Sequence, residues 1–230
     1  AIQQEDPAVV WVGTGEGNPR NSMNLGMGLF RSQDAGQSWE LMGLAATKTI
    51  HRIIVDPADG NTVYVGAMGD PFTPGPDRGL YRTRDGGETF EKVLYSNEQS
   101  GIADLVMDPT NPKKLLAALY EHRRTPYSFV SGGPGSGLYM TLDGGDTWTQ
   151  LGEEHGLPAG ELGRIGLAIA PSNPNRIYAK VEATKNALYR SDDGGNTWEM
   201  VNDNLRFTNN RPFYFQELAV SSEDPDLLYN

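Results

Sequence analysis

Cysteine is absent from the 230 residues, which excludes disulfides and thiolate metal sites. Histidine occurs three times, at 51, 122 and 155, with no spacing that marks an imidazole metal site, and neither a metal nor a cofactor is expected. Basic side chains are scarce: 19 Lys and Arg stand against 30 Asp and Glu, a net charge of −11. Such a surface cannot neutralise phosphates, so nucleic acid is excluded as a partner and an anionic bilayer is disfavoured. Long apolar runs are missing too. Ile165–Ala170 and Leu115–Leu119 fall far short of the roughly 20 residues that cross a bilayer, and no membrane insertion is expected. There is no Gly-x-Ser-x-Gly elbow, and GGPGSG (132–137) lacks the lysine of a phosphate loop. The chain opens on Ala1 with no methionine and no leader. An acidic, cysteine-free composition suits a bacterial protein that is secreted, extracellular or at the cell surface, and it is equally that of many cytosolic proteins.

Glycine and proline, in contrast, are plentiful at 28 and 15, and they punctuate short apolar runs, the pattern of many strands and many turns. Self-comparison orders them. SQDAGQSW, TRDGGETF, TLDGGDTW and SDDGGNTW begin at Ser32, Thr83, Thr141 and Ser191 and share Ser/Thr-x-Asp-x-Gly-x-Ser/Thr-aromatic. The fixed positions are Asp34, Gly36, Trp39; Asp85, Gly87, Phe90; Asp143, Gly145, Trp148; and Asp193, Gly195, Trp198. Their spacing, about 50 to 58 residues, is that of a propeller blade. GLFR, GLYR, GLYM and ALYR precede the four copies, and a second apolar run recurs around Trp11, Tyr64, Leu116, Tyr178 and Tyr229.

One unit therefore reads as four antiparallel strands: A like 51–55, B like 62–67, C like 79–83 and D like 89–94, with the Asp motif as the C–D turn. The fold class is an all-β propeller with about four blades, near 1–45, 49–97, 101–153 and 162–204, and the start of a fifth at 213–230. The similarity of 5–12 to 223–230 leaves a closed four-bladed ring open, but an arc of a larger propeller, completed by the remaining blades of a parent chain, is the preferred reading. Within the motif the Asp accepts hydrogen bonds from its own loop, the glycine takes positive φ, the hydroxyl closes the turn, and the aromatic packs on a neighbouring strand or blade. The motif offers too few oxygens for calcium.

The motif resembles the Asp box of the BNR-repeat propellers, a group that includes sialidases, xyloglucanases and sortilin-type receptors. The stretches GTGEGNPRN (13–21), HRIIVDP (51–57), FVSGGPGSGLY (129–139) and GRIGLAI (163–169) resemble bacterial proteins of the sortilin-like or BNR-repeat glycosyl hydrolase-like kind. The resemblance implies a propeller and leaves the activity open.

Antiparallel alternation puts the Asp boxes at one end of each blade and the B–C and D–A connections at the other. The B–C connections at 13–28, 69–78 and 120–137 are long and irregular, whereas the fourth, 181–187, is brief. Long loops on a rigid scaffold carry recognition, so the candidate ligand-binding residues are Glu16, Arg20, His51, Arg52, Asp70, Asp77, Arg78, His122, Arg123, Arg124, Tyr127 and Arg164. The competing reading has these charges solvated, or the arginines tying loops down through backbone carbonyls. Three functions stay open. The first is a non-catalytic module binding protein, peptide or glycan. The second is a glycoside hydrolase, which needs two carboxylates about 5 to 10 Å apart, with Glu16, Asp70, Asp77, Asp104 and Glu217 available and nothing to select a pair. A sialidase is disfavoured because the Arg-Ile stretches at 52 and 164 lack a following proline. The third is a purely structural module. The first is the expectation.

Overall fold

The computed structural model describes residues 1–208 and 211–230, and it is a β-propeller segment. The first sheet holds β1 (Val10–Gly13), β2 (Leu29–Ser32) and β3 (Glu40–Gly43), and Ile2 bridges Val10 where a strand A would end. The second is β4 (Ile50–Asp56), β5 (Asp59–Ala67), β6 (Gly79–Thr83) and β7 (Glu91–Leu94). The third is β8 (Ser100–Asp108), β9 (Asn111–Arg124), β10 (Phe129–Ser131), β11 (Gly137–Thr141) and β12 (Thr149–Leu151). The fourth is β13 (Ile165–Ala170), β14 (Asn173–Val181), β15 (Ala187–Ser191) and β16 (Glu199–Asn202), followed by the pair β17 (Ala219–Val220) and β18 (Leu228–Tyr229). All pairings are antiparallel, and the A strands β4, β8, β13 and β17 pack against one another in succession.

Period-two alternation explains the stacking, because every B strand is apolar on both faces. In β5, Val63, Val65 and Ala67 pack on the first sheet while Tyr64 faces the third. In β9, Leu115, Ala117 and Leu119 face back and Leu116 and Ala118 face forward. Gly66 lets the sheets close up: a Cβ there would stand 2.7 Å from Ile102 Cγ2.

Each Asp box is the C–D turn. Thr141 Oγ1 donates to Asp143 Oδ1 at 2.7 Å and accepts the Gly145 N–H at 2.9 Å. Asp143 also accepts the Thr147 N–H at 3.0 Å and its hydroxyl at 2.6 Å. Asp34, Asp85 and Asp193 repeat this set. Thr141→Val keeps the shape but strands two backbone N–H groups, and urea unfolding should show a loss of about 1 to 3 kcal/mol.

The aromatics pack backwards: Phe90 on the first sheet, Trp148 on the second and Trp198 on the third. Trp39 departs from the expected packing and is 45% exposed, because among the described residues no sheet precedes its own. The 120–137 connection also departs from the sequence reading. Its first five residues continue β9, which turns back through Thr125–Ser128 into β10, so a hairpin stands where an irregular loop was expected.

Candidate functional site

The starts of the A strands meet the B–C and D–A connections at the end opposite the Asp boxes, and a polar clasp joins them near the axis. A register shift between Ile50 and Arg52 frees His51 from the ladder, as bulges do when they re-aim a side chain. Its Nε2 accepts from Arg164 at 3.1 Å. Burial, then the charges of Arg164 and Arg52, hold His51 down at about 3, so the ring is neutral. Arg164 donates to the Phe213 carbonyl at 2.5 Å. Arg52 bonds Asp104 at 2.7 Å and lies 3.8 Å from Glu217. Asp104 also accepts the N–H groups of Leu105 and Leu167, each at 2.9 Å. Four successive sheets thus share one network, with Asp104 buried and fully engaged as its anchor. The first-sheet loop seals it, because Gly17 lies so close to the His51 ring that a Cβ would overlap it.

The other candidates divide by depth. Arg78 and His122, read from sequence as surface groups, are buried. Arg78 donates to the carbonyls of Gln99 (2.7 Å), Asp70 and Thr73 (3.2 Å), fastening the 69–78 loop, and burial lowers it to about 10. His122 stacks on Tyr120 with centroids 4.9 Å apart, Nδ1 bonds the Tyr120 carbonyl at 3.2 Å, and burial holds it neutral, at about 3. Neither reaches the loop face as the chain is folded, because each is buried; Arg78 Nε and His122 Nε2 are left without a hydrogen-bond partner among the described residues. Asp70 turns inward on its own loop, accepting from Phe72 N–H and Thr73 Oγ1 at 2.8 Å each. Asp77 lines a separate hollow of about 260 Å³ with Lys48. Glu16 stays near the surface with Arg20 at 3.5 Å and Asn24 at 3.2 Å. Arg124 lies over the Phe129 ring at 4.9 Å, beside exposed Arg123. Tyr127, at the tip of the β9–β10 hairpin, is 98% exposed.

The loop face also carries a groove that the candidate residues do not describe. Two adjoining hollows of about 420 and 380 Å³ meet at Glu161 and Leu162. One is walled by Ser131, Gly132, Gly163, Glu182 and Thr184, the other by Gly133, Ser136, Gln150 and Gly152. It lies between the third and fourth sheets, beside the short 181–187 connection. Glu182 follows β14 directly. Its carboxylate accepts the Arg164 N–H at 2.7 Å and the Ser131 hydroxyl at 2.8 Å. Burial pushes its acid up, against the pull of those two hydrogen bonds. Glu161, by contrast, is exposed. Sequence reasoning missed both residues by following long loops; the one signal was the brevity of a single loop among long neighbours. Among the described residues no group of three or more His, Cys, Asp or Glu could hold a metal ion.

Comparison with known proteins agrees with the architecture and shifts the reading of the site. A family model described as Sortilin, neurotensin receptor 3 matches residues 28–159. A Paenibacillus protein named xyloglucanase is 24% identical over 99% of this chain and 23% of its own length. The oligoxyloglucan-reducing end-specific xyloglucanase of Emericella nidulans is 26% identical over 76% of this chain and 24% of its own. The crystal structure of the GH74 xyloglucanase of Xanthomonas campestris superposes with a TM-score of 0.71 at 18% identity, covering 99% of this chain and 34% of that one. The Niastella koreensis GH74 enzyme gives 0.63 at 22% identity, over 86% and 28%. These two structures share the propeller fold, and the chain spans about a quarter of the length of the curated relatives it matches. The expectation of a non-catalytic binding module is corrected by these relatives, which are named as enzymes of a glycan. No helix among the described residues is long and apolar enough to cross a membrane.

Proposed function

The chain belongs to the Sortilin-Vps10 family, and from that premise we propose that it is a segment of a glycoside hydrolase acting on a polysaccharide of the xyloglucan type. The observation that carries this reading is the alignment of 99% of the chain with a xyloglucanase. The two adjoining hollows between the third and fourth sheets support it: lined by glycines with hydroxyl, amide and carboxylate groups, they suit a sugar better than a compact apolar ligand. Tyr127 supplies a solvent-exposed aromatic face at the tip of the β9–β10 hairpin. A polymer of that size cannot enter a cell, so the enzyme acts outside it, as a secreted or surface protein. The parent protein supplies further blades. The apolar groups Val12, Trp39 and Leu41, exposed on the free face of the first sheet, are what a preceding blade would cover.

The test is reducing-sugar release by the intact parent protein from xyloglucan, mixed-linkage glucan, cellulose and xylan. Release from xyloglucan is expected, and Tyr127→Ala should weaken polysaccharide retention in affinity electrophoresis by about 3- to 10-fold, the loss of one stacking contact. Its melting temperature should not move, since the side chain is solvated. An intact protein that cleaves none of the four polymers would sink the proposal.

A further inference from the structure

We propose that Arg124 anchors a single carboxylate on the bound polysaccharide, that of an acidic (uronic) sugar, an assignment that rests on the glycan reading above. The arginines divide by what answers their charge. At the Asp-box end Arg31, Arg82, Arg84, Arg176 and Arg190 are all ion-paired. On the loop face Arg20 meets Glu16 and Arg52 meets Asp104. Arg78 and Arg164 are buried and donate to backbone carbonyls and to His51. Arg123, Arg124 and Arg206 form no ion pair among the described residues. In a chain of net charge −11, with acids in excess, each of these is a positive charge that folding leaves unanswered.

Of these three, Arg124 is the one whose guanidinium rests on a ring. Its backbone N–H donates to the Pro71 carbonyl at 2.7 Å. Its guanidinium lies over Phe129, its cross-strand partner in the β9–β10 ladder, at 4.9 Å. Phe213 braces Phe129 edge-on, with centroids 5.0 Å apart and planes at 63°. A guanidinium stacked in this way has lost rotamer freedom before any ligand arrives, so little more is lost on binding. Nε is shielded from solvent and finds no partner, whereas neither Nη donates to a described group and both remain open to solvent. The charge is thus left to two parallel N–H groups on one planar edge, the match for a planar carboxylate. Only one such group fits. Strand alternation turns the neighbouring Arg123 to the opposite face of the hairpin, so the two cations do not close on one anion. A polymer charged at every unit would be repelled by the net −11, while an occasional acidic sugar among neutral ones meets the fork alone.

The experiment titrates the intact parent protein calorimetrically with native xyloglucan and with the same polymer in which a small fraction of the galactosyl C6 alcohols has been oxidised to carboxylates. The oxidised polymer should bind about 5- to 10-fold more tightly at low ionic strength, and about 0.5 M NaCl should erase most of the difference. Arg124→Gln should bring the ratio of the two affinities close to one. Arg124→Lys keeps the charge and the packed stem without the fork, and the ratio should fall most of the way. Arg84→Gln removes the same charge from the Asp-box end and should keep the ratio. Equal affinity of the unaltered protein for the two polymers overturns the assignment and leaves the glycosidase reading standing. So does a ratio that survives Arg124→Gln or stays whole in Arg124→Lys. A ratio lost equally in Arg84→Gln also overturns it, since the preference then reports net charge and not the fork. A parent protein that neither binds nor cleaves either polymer overturns the glycan reading, and the assignment with it.

Discussion

Arg82→Ala should lower the stability of the chain by about 3 kcal/mol, the largest loss expected from a single side chain outside the apolar core. Arg82 is 2% exposed and lies flat between two sheets. Nε donates to Glu91 at 2.7 Å, Nη2 to Asp146 at 2.7 Å, and Nη1 to the Gly144 carbonyl of the next Asp box. It therefore joins the C and D strands of its own sheet to the turn of the following one. Both carboxylates are half-exposed and stay hydrated when the arginine is gone, which keeps the loss below that of a fully buried pair broken open. What is lost is the packed stem and the charge-assisted bonds.

The repeat supplies internal controls. Arg31 takes the same place in the first sheet, donating to the Gly86 carbonyl at 2.6 Å and to Glu40 at 3.2 Å, with more of its side chain in water. Arg190, in the fourth sheet, bonds Asp192 and Glu199 alone among the described residues. Alanine substitutions should therefore rank Arg82 above Arg31 above Arg190 in denaturant unfolding. Equal losses at all three, or none at Arg82, would mean that the inter-sheet contact carries no energy.

How much of this was legible in the sequence depends on whether a feature was local. The Asp boxes were fully readable, because Ser/Thr, Asp and Gly at fixed offsets satisfy one another within a single turn. Strand β6 falls on 79–83 as expected because that turn fixes where it ends. The recurrent apolar run marked the B strands, but which of their faces packs on which sheet came only from the fold. The hairpin of β9 and β10 was hidden, since its turn is closed by the hydroxyls of Thr125 and Ser128 and carries none of the Asn-Gly or Asp-Gly signals. Arg78, His122 and Arg164 read as surface charges because their partners, the carbonyls of Gln99, Tyr120 and Phe213, declare nothing in local pattern. The groove is a property of neighbouring loops of unequal length, and only the three-dimensional stack shows which walls they leave facing each other. Glu182 became visible as a site residue only once Ser131, 51 positions away, was seen to bond it.

Acidification should unfold the chain between about pH 4 and pH 2, and the four Asp boxes supply the reason. The Ser38 hydroxyl and N–H, with the Ser32 hydroxyl, hold Asp34 down at about 2, from an ordinary 3.8. At Asp193 burial pushes upward, but the Thr197 and Ser191 bonds outweigh it and the value is again about 2. Asp85 and Asp143 are depressed by the same hydroxyl and N–H donors. A carboxyl whose folded value lies below its unfolded one binds its proton later when folded. Its contribution is therefore complete above the unfolded value near 4 and disappears as pH falls through the folded value. Four such groups add in the same direction, so circular dichroism followed from pH 7 to pH 1.5 should be flat at first and then fall steeply. Glu182 runs the other way: its acid is raised on folding, so its ionised form opposes stability at neutral pH. Glu182→Gln should therefore leave the melting temperature at pH 7 unchanged or higher, while an Asp143→Asn variant melts lower and loses part of the acid transition. A chain equally stable at pH 7 and pH 2.5 would show that the Asp-box carboxylates do not hold the turns. A Glu182→Gln chain that melts lower at pH 7 would show that the ionised carboxylate stabilises the fold instead.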